Sequence, residues 1–158
     1  MLVIVHSGQT GVERGAHRAA AAAGLSIAGF MPLDKRDELG PVPTDIADQL
    51  TACFDRGPRP AVRANVSIAS GVLLLVPDAA RAEKFTAMAA VLQAVRSARA
   101  PLMACDPQTN LDDVVWWVKH LPETSGSTRL LVTGPRATRW PEGEAIAKRV
   151  VGAISMSS

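Results

Sequence analysis

Short apolar runs alternate with longer stretches of helical period along this chain. Five runs read as strands: Leu2–Val5, Leu25–Gly29, Val72–Val76, Leu102–Cys105 and Leu130–Thr133. The third, Val-Leu-Leu-Leu-Val, lacks any polar alternation, as expected of a strand covered on both faces, and belongs near the centre of a sheet. Apolar positions recur every three or four residues in Gly11–Ala23, Ala82–Ala98, Asn110–Leu121 and Glu142–Ile154, which predicts four helices, each following a strand. Such alternation predicts an α/β fold with a mostly parallel sheet.

Local signals agree. Asn110 precedes Leu111-Asp112-Asp113 as an N-cap with acids in the first turn, and Pro141 stands at a helix start. Residues 30–45 hold Pro32, Pro41 and Pro43 with the charged run Asp34 to Glu38, which predicts a long loop, and long loops in compact domains often carry function. The stretch Arg56-Gly-Pro-Arg-Pro60 reads as a turn between short helices.

Length and composition narrow the picture. At 158 residues and 47% apolar, residues 1–158 are expected to form one domain around one core. The formal charge of +2 is no nucleic-acid-binding surplus, and 4% aromatic residues with no Tyr leave few stacking platforms, so nucleic acid is disfavoured as a partner. Cys53 and Cys105 lack metal-ligand spacing and read as two buried thiols. Met1 to His6 has no basic leader region, and the longest uncharged stretch, Ala19 to Leu33, is interrupted by Gly24, Gly29 and Pro32. No membrane association and a cytoplasmic location are expected.

In a parallel sheet the loops leaving the carboxyl ends of the strands gather on one edge, where ligands bind. Three such loops here are polar. Ser7-Gly-Gln-Thr-Gly11 opens a helix after the first strand, where small residues allow backbone N–H groups to approach an oxyanion. Arg14, a cation in the first helical turn, opposes the helix dipole and so points to a nearby anion. The second loop carries Arg36 and Glu38 beside Gly40-Pro-Val-Pro43, and the third is Thr133-Gly-Pro-Arg136, followed by Arg139. Arg14, Arg36 and Arg136 are expected to converge on one anion site around Gly8–Gly11.

Catalytic machinery is not evident. His17 is expected on the exposed side of the first helix, His120 lies near a helix end, and His6 ends the first strand, with no relay to Ser or Cys. On Asn110–Leu121 the stripe Leu111, Val114, Val115, Val118 and Leu121 is predicted to pack on the sheet, leaving Trp116 on the opposite side for a homo-oligomer contact.

The motifs Ser7-Gly-Gln-Thr-Gly-Val-Glu-Arg14, Arg36-x-Glu38-x-Gly40-Pro-x-Pro43, Asn65-Val66 and Gly134-Pro-Arg136, in this order, resemble the molybdenum-cofactor carrier family. That family is the circularly permuted YpsA-like branch of the SLOG superfamily, related to the Lonely Guy phosphoribohydrolases. The resemblance implies a Rossmann-like three-layer sandwich, a homo-oligomer (dimer or tetramer), and binding or carriage of a phosphorylated pterin, the molybdenum cofactor, or a nucleotide-like ligand. The implied contacts are Ser7, Gly8, Gln9, Thr10, Gly11, Arg14, Arg36, Glu38, Gly40, Asn65, Gly134, Pro135 and Arg136. The alternative is a nucleoside-monophosphate phosphoribohydrolase using Glu38. One departure stands out: where the family shows a Gly-Gly-Thr phosphate loop after the central strand, this chain reads Pro77-Asp-Ala-Ala-Arg-Ala-Glu-Lys-Phe-Thr86.

Overall fold

In the computed structural model, which describes residues 1–157, every predicted strand is present within one or two residues of its expected bounds. The chain begins with β1 (Leu2–Val5), α1 (Val12–Ala22) and β2 (Ser26–Ala28). An excursion follows: β3 (Phe30–Met31), the antiparallel hairpin β4 (Arg36–Asp37) and β5 (Gly40–Pro41), a short α2 (Thr44–Ala47), and β6 (Thr51–Ala52), which pairs with β3. The chain then runs through α3 (Pro58–Ile68), β7 (Gly71–Leu75), α4 (Ala89–Ala98), β8 (Leu102–Cys105), α5 (Leu111–Lys119), β9 (Thr128–Thr133) and α6 (Gly143–Met156).

The main sheet is parallel throughout, in the order β2-β1-β9-β7-β8. The chain steps outward from β1 to β2 on one side and from β7 to β8 on the other, and the last strand, β9, closes the gap between them. Side chains alternate across it with the period of two that a pleated strand imposes. Ile4, Leu73, Leu75, Leu130 and Val132 join the core that includes α1, α5 and α6, whereas Val3, Val5, Val72 and Leu131 join residues of α3 and α4. The result is three layers, and β7 is wholly buried, as its unbroken apolar run requires.

Two elements depart from the sequence reading. The turn expected over Arg56–Pro60 between short helices ends earlier, because Pro58, Arg59 and Pro60 already belong to α3. Its first turn holds Pro58 and Pro60, which is tolerated because the first N–H groups of a helix have no intrahelical partner to lose. The helix expected from Ala82 begins only at Ala89, because 79–88 is wound into 3-10 turns. Asp106, on the loop after β8, ties this segment down by accepting from the backbone N–H of Ala79 at 2.7 Å. Both cysteines are free and buried, and among the described residues no helix is long and apolar enough to cross a membrane.

Candidate functional site

The strand order reverses between β9 and β7, and the carboxyl ends of strands at such a switch point leave a crevice between their loops. A cavity of about 450 Å³ opens there, within the range typical of small-molecule sites. Its floor is polar, with Ser7, Gln9, Glu13, Asn65 and Thr133, and Glu38 and Thr138 continue that lining. One wall is apolar: Val62 of α3, Leu131 of β9, and Ala87, Met88 and Val91 around the start of α4. Arg59, Arg136 and Arg139 also line it, and none of the three takes part in an ion pair among the described residues.

The Ser7–Gly11 loop is built into this floor rather than lying open to it. Gly8 has φ of +81°, and a Cβ there would approach Leu50 Cδ1 and Val42 Cγ1 at 3.1 and 3.3 Å, so the glycine lets the segments on either side of α2 pack over the loop. Gly8 N–H donates to His6 Nδ1 at 2.9 Å. That bond fixes the tautomer: Nδ1 is an acceptor, so His6 carries its proton on Nε2 and donates it to His17 Nδ1, 2.9 Å away. His17 is therefore buried, at 4% exposure, and not on the exposed side of α1 as its sequence position indicated. Burial, with His17 and Arg14 adding positive charge nearby, lowers the His6 pKa to about 3. Burial also lowers that of His17.

Glutamates organise the polar lining. Glu13 is buried, and its Oε1 accepts from both the backbone N–H and the hydroxyl of Ser7, at 2.5 and 2.6 Å. Burial raises its pKa, against the pull of the Ser7 bonds and the Arg136 charge. Glu38 accepts from the Thr10 hydroxyl and from the backbone N–H and hydroxyl of Thr138. Partial burial pushes its pKa up, but these bonds, with Arg136 nearby, outweigh that and hold it below the usual range. Thr10 Oγ1 also accepts from Ala137 N–H at 3.2 Å, so the first loop, the hairpin and the loop after β9 are stitched together through Glu38 and Thr10.

Of the residues expected in the site, Ser7, Gln9, Glu38, Asn65, Gly134 and Arg136 line the cavity. Gly8, Thr10, Gly11 and Pro135 sit behind it as structural support. Asn65 also braces the chain at Phe30, whose two backbone groups it satisfies as a neighbouring strand would, accepting from N–H at 2.7 Å and donating to C=O at 2.9 Å. The expected convergence of three arginines is corrected. Arg14 forms an ion pair with Asp37, whose side chain is fully buried, and Arg36 is exposed on the hairpin, where its carbonyl accepts from Gln9 and Gly40, with φ of +121°, begins the returning strand. Only Arg136 of the three reaches the cavity. Its companions are Arg139, which the third loop did signal, and Arg59, which lies on the helix the prolines concealed.

Where relatives are expected to carry a Gly-Gly-Thr loop, the Ala79 N–H is already bonded to the Asp106 carboxylate. The segment gives the cavity Ala87 and Met88 instead of backbone donors. No group of three or more His, Cys, Asp or Glu side chains among the described residues is placed to hold a metal ion.

The profile of the circularly permutated YpsA SLOG family matches residues 4–155. No curated protein matches the chain. Among solved structures it is similar to the crystal structure described as "Putative molybdenum carrier protein" from Syntrophus aciditrophicus SB, with a TM-score of 0.78 and 20% identity over 96% of this chain and 93% of that one. At that identity the likeness establishes the shared fold. The permutation is visible in the sheet: numbered along the chain, the five strands lie in the order 2-1-5-3-4, and moving the last strand and its helix to the front gives 3-2-1-4-5, the doubly wound order. Thr133-Gly-Pro-Arg136 thus occupies the place of the first phosphate-binding turn in an unpermuted fold.

Proposed function

The chain belongs to the circularly permuted YpsA SLOG family, and on the cavity at its sheet edge we propose that it binds and carries a phosphorylated small molecule without transforming it. The ligand is a phosphorylated pterin, with the molybdenum cofactor as cargo, or a nucleotide-like compound. One observation carries this reading: Arg59, Arg136 and Arg139 line a single cavity, and none of them makes an ion pair among the described residues. Guanidinium groups present planar forks of donors suited to phosphate oxygens, and the apolar lining of Met88, Val91 and Leu131 suits a flat ring. Any molybdenum would arrive on its organic carrier, held through the carrier's phosphate.

The engagement of Glu38 supports binding over hydrolysis. Both of its oxygens are occupied by Thr10 and Thr138, whereas a group that deprotonates or stabilises a reacting centre needs access to it. Two free, buried thiols suit the reducing cytoplasm, and Trp116, 62% exposed and stacked on His120, is the proposed contact of a homo-oligomer.

A mass spectrum of small molecules released from the native protein tests the reading. A phosphate-bearing heterocycle, lost from Arg136→Ala, is the expected result. Protein that releases nothing, and binds no member of a panel of phosphorylated pterins and nucleotides, would overturn it.

A further inference from the structure

Glu13 is the one carboxylate on the cavity floor that is only half used. It lies in the first turn of α1, 5% exposed, and both Ser7 donors fall on its Oε1. Among the described residues, Arg14 Nε is the only side-chain N or O sealed from open space without a hydrogen-bond partner. Glu13 Oε2 receives no bond and yet is not sealed, so it opens onto the cavity that Glu13 lines. That oxygen ends a largely buried side chain, so a ligand that displaces its water must supply a donor in exchange. Glutamine would retain the Ser7 contacts but would turn an N–H, not an acceptor, towards the cavity.

The rest of the cavity says what should meet that oxygen. Arg136 lines the same cavity as Glu13 and makes no ion pair with it. Met88, Val91 and Leu131 supply an apolar face, and a thioether packs well against an aromatic ring. A ligand held by its phosphate at the arginines and by its ring at this wall would present its ring edge to the floor.

We propose that Glu13 Oε2 reads the ring edge by accepting an N–H from an exocyclic amino group, so that the cavity selects phosphorylated amino-heterocycles over rings without such a donor. This rests on the anionic-ligand reading above and adds to it the class of ring. A neutral wall would bind such rings without distinguishing them, whereas a buried acceptor discriminates because an unmatched partner leaves it desolvated and unpaired.

Calorimetric titration with AMP, GMP and purine riboside 5′-monophosphate, which has ring and phosphate but no ring N–H donor, tests the proposal on the unmodified protein. At least one amino-nucleotide is expected to bind ten-fold or more tightly than purine riboside monophosphate. Glu13→Gln keeps a carbonyl for Ser7 and places an NH₂ where Oε2 stood, so it should weaken that nucleotide at least ten-fold and leave purine riboside monophosphate within two-fold. Equal binding of all three by the unmodified protein, weakened alike by Arg136→Ala, would overturn the role of Glu13 and leave the anionic-ligand reading standing. An unchanged preference in a folded Glu13→Gln protein would also overturn it. Failure of all three to bind, in a protein that releases no phosphorylated compound, would overturn both.

Discussion

Gly11 and Pro135 meet so closely that a Cβ on Gly11 would lie 2.8 Å from the Pro135 carbonyl oxygen, and equally close to Ala137 N. Gly11 also has φ of +81°. The loop after the first strand and the loop after the last are therefore one packed unit, and the glycine is fixed by contact as much as by conformation. Gly11→Ala should cost about 2–3 kcal/mol of stability from strain and clash together, read as a drop in the denaturation midpoint with little change in slope.

Arg14 and Asp37 form the strut under the hairpin. With the Asp37 side chain fully buried and Arg14 at 12% exposure, removing the acid leaves a guanidinium largely cut off from water. Asp37→Ala should destabilise the protein by about 3 kcal/mol while leaving ligand affinity within a factor of two. Arg136→Ala should do the reverse, weakening a phosphorylated ligand by about 1–3 kcal/mol with the melting temperature of the free protein nearly unchanged. Paired thermal melts and titrations on the two variants check this exchange of effects.

His6 is locked neutral. Its folded pKa lies below the ordinary value, so between pH 6.5 and about 3 the unfolded chain binds a proton that the native protein does not, and stability falls as pH drops through that window. At about 1.4 kcal/mol per pH unit, acidification to pH 4.5 should cost roughly 2–3 kcal/mol from this group. Nitrogen-15 NMR should show His6 unprotonated at Nδ1 and protonated at Nε2 down to pH 4. A titration of its ring near pH 6 would contradict the buried pair.

Trp116 stacks on His120 with ring centroids 4.0 Å apart, and His120 Nδ1 lies 2.7 Å from the Trp116 carbonyl oxygen. The side chain stands on the solvent side of α5 while Val114 and Val118 are buried. If this surface joins subunits, Trp116→Glu should move the protein towards monomer in sedimentation without unfolding it. An unchanged oligomer would place the contact elsewhere.

The elements most legible in the sequence were those whose pattern depends on local burial alone: the five strands, the covered face of α5 and the exposed ring of Trp116. Residues whose role depends on a distant partner were not. Arg14 reads as an anion ligand until the hairpin delivers Asp37 beside it, and His17 reads as exposed until His6 from the end of β1 turns towards it. Arg59 was hidden because Pro58 and Pro60 resemble a turn, although a first helical turn accommodates both. Glu13 stood in the first motif without a role, since an acid in the first turn of a helix is ordinary and only the tertiary structure shows it buried beneath a cavity.

The position of the binding site is tested most directly by amide chemical-shift mapping of the labelled protein during titration with GMP or the native phosphorylated ligand. Shifts concentrated at Ser7, Gln9, Met88, Thr133, Arg136 and Thr138, and abolished by Arg136→Ala, are the predicted result. Saturable shifts confined to another surface, such as the exposed side of α5 around Trp116, would contradict it.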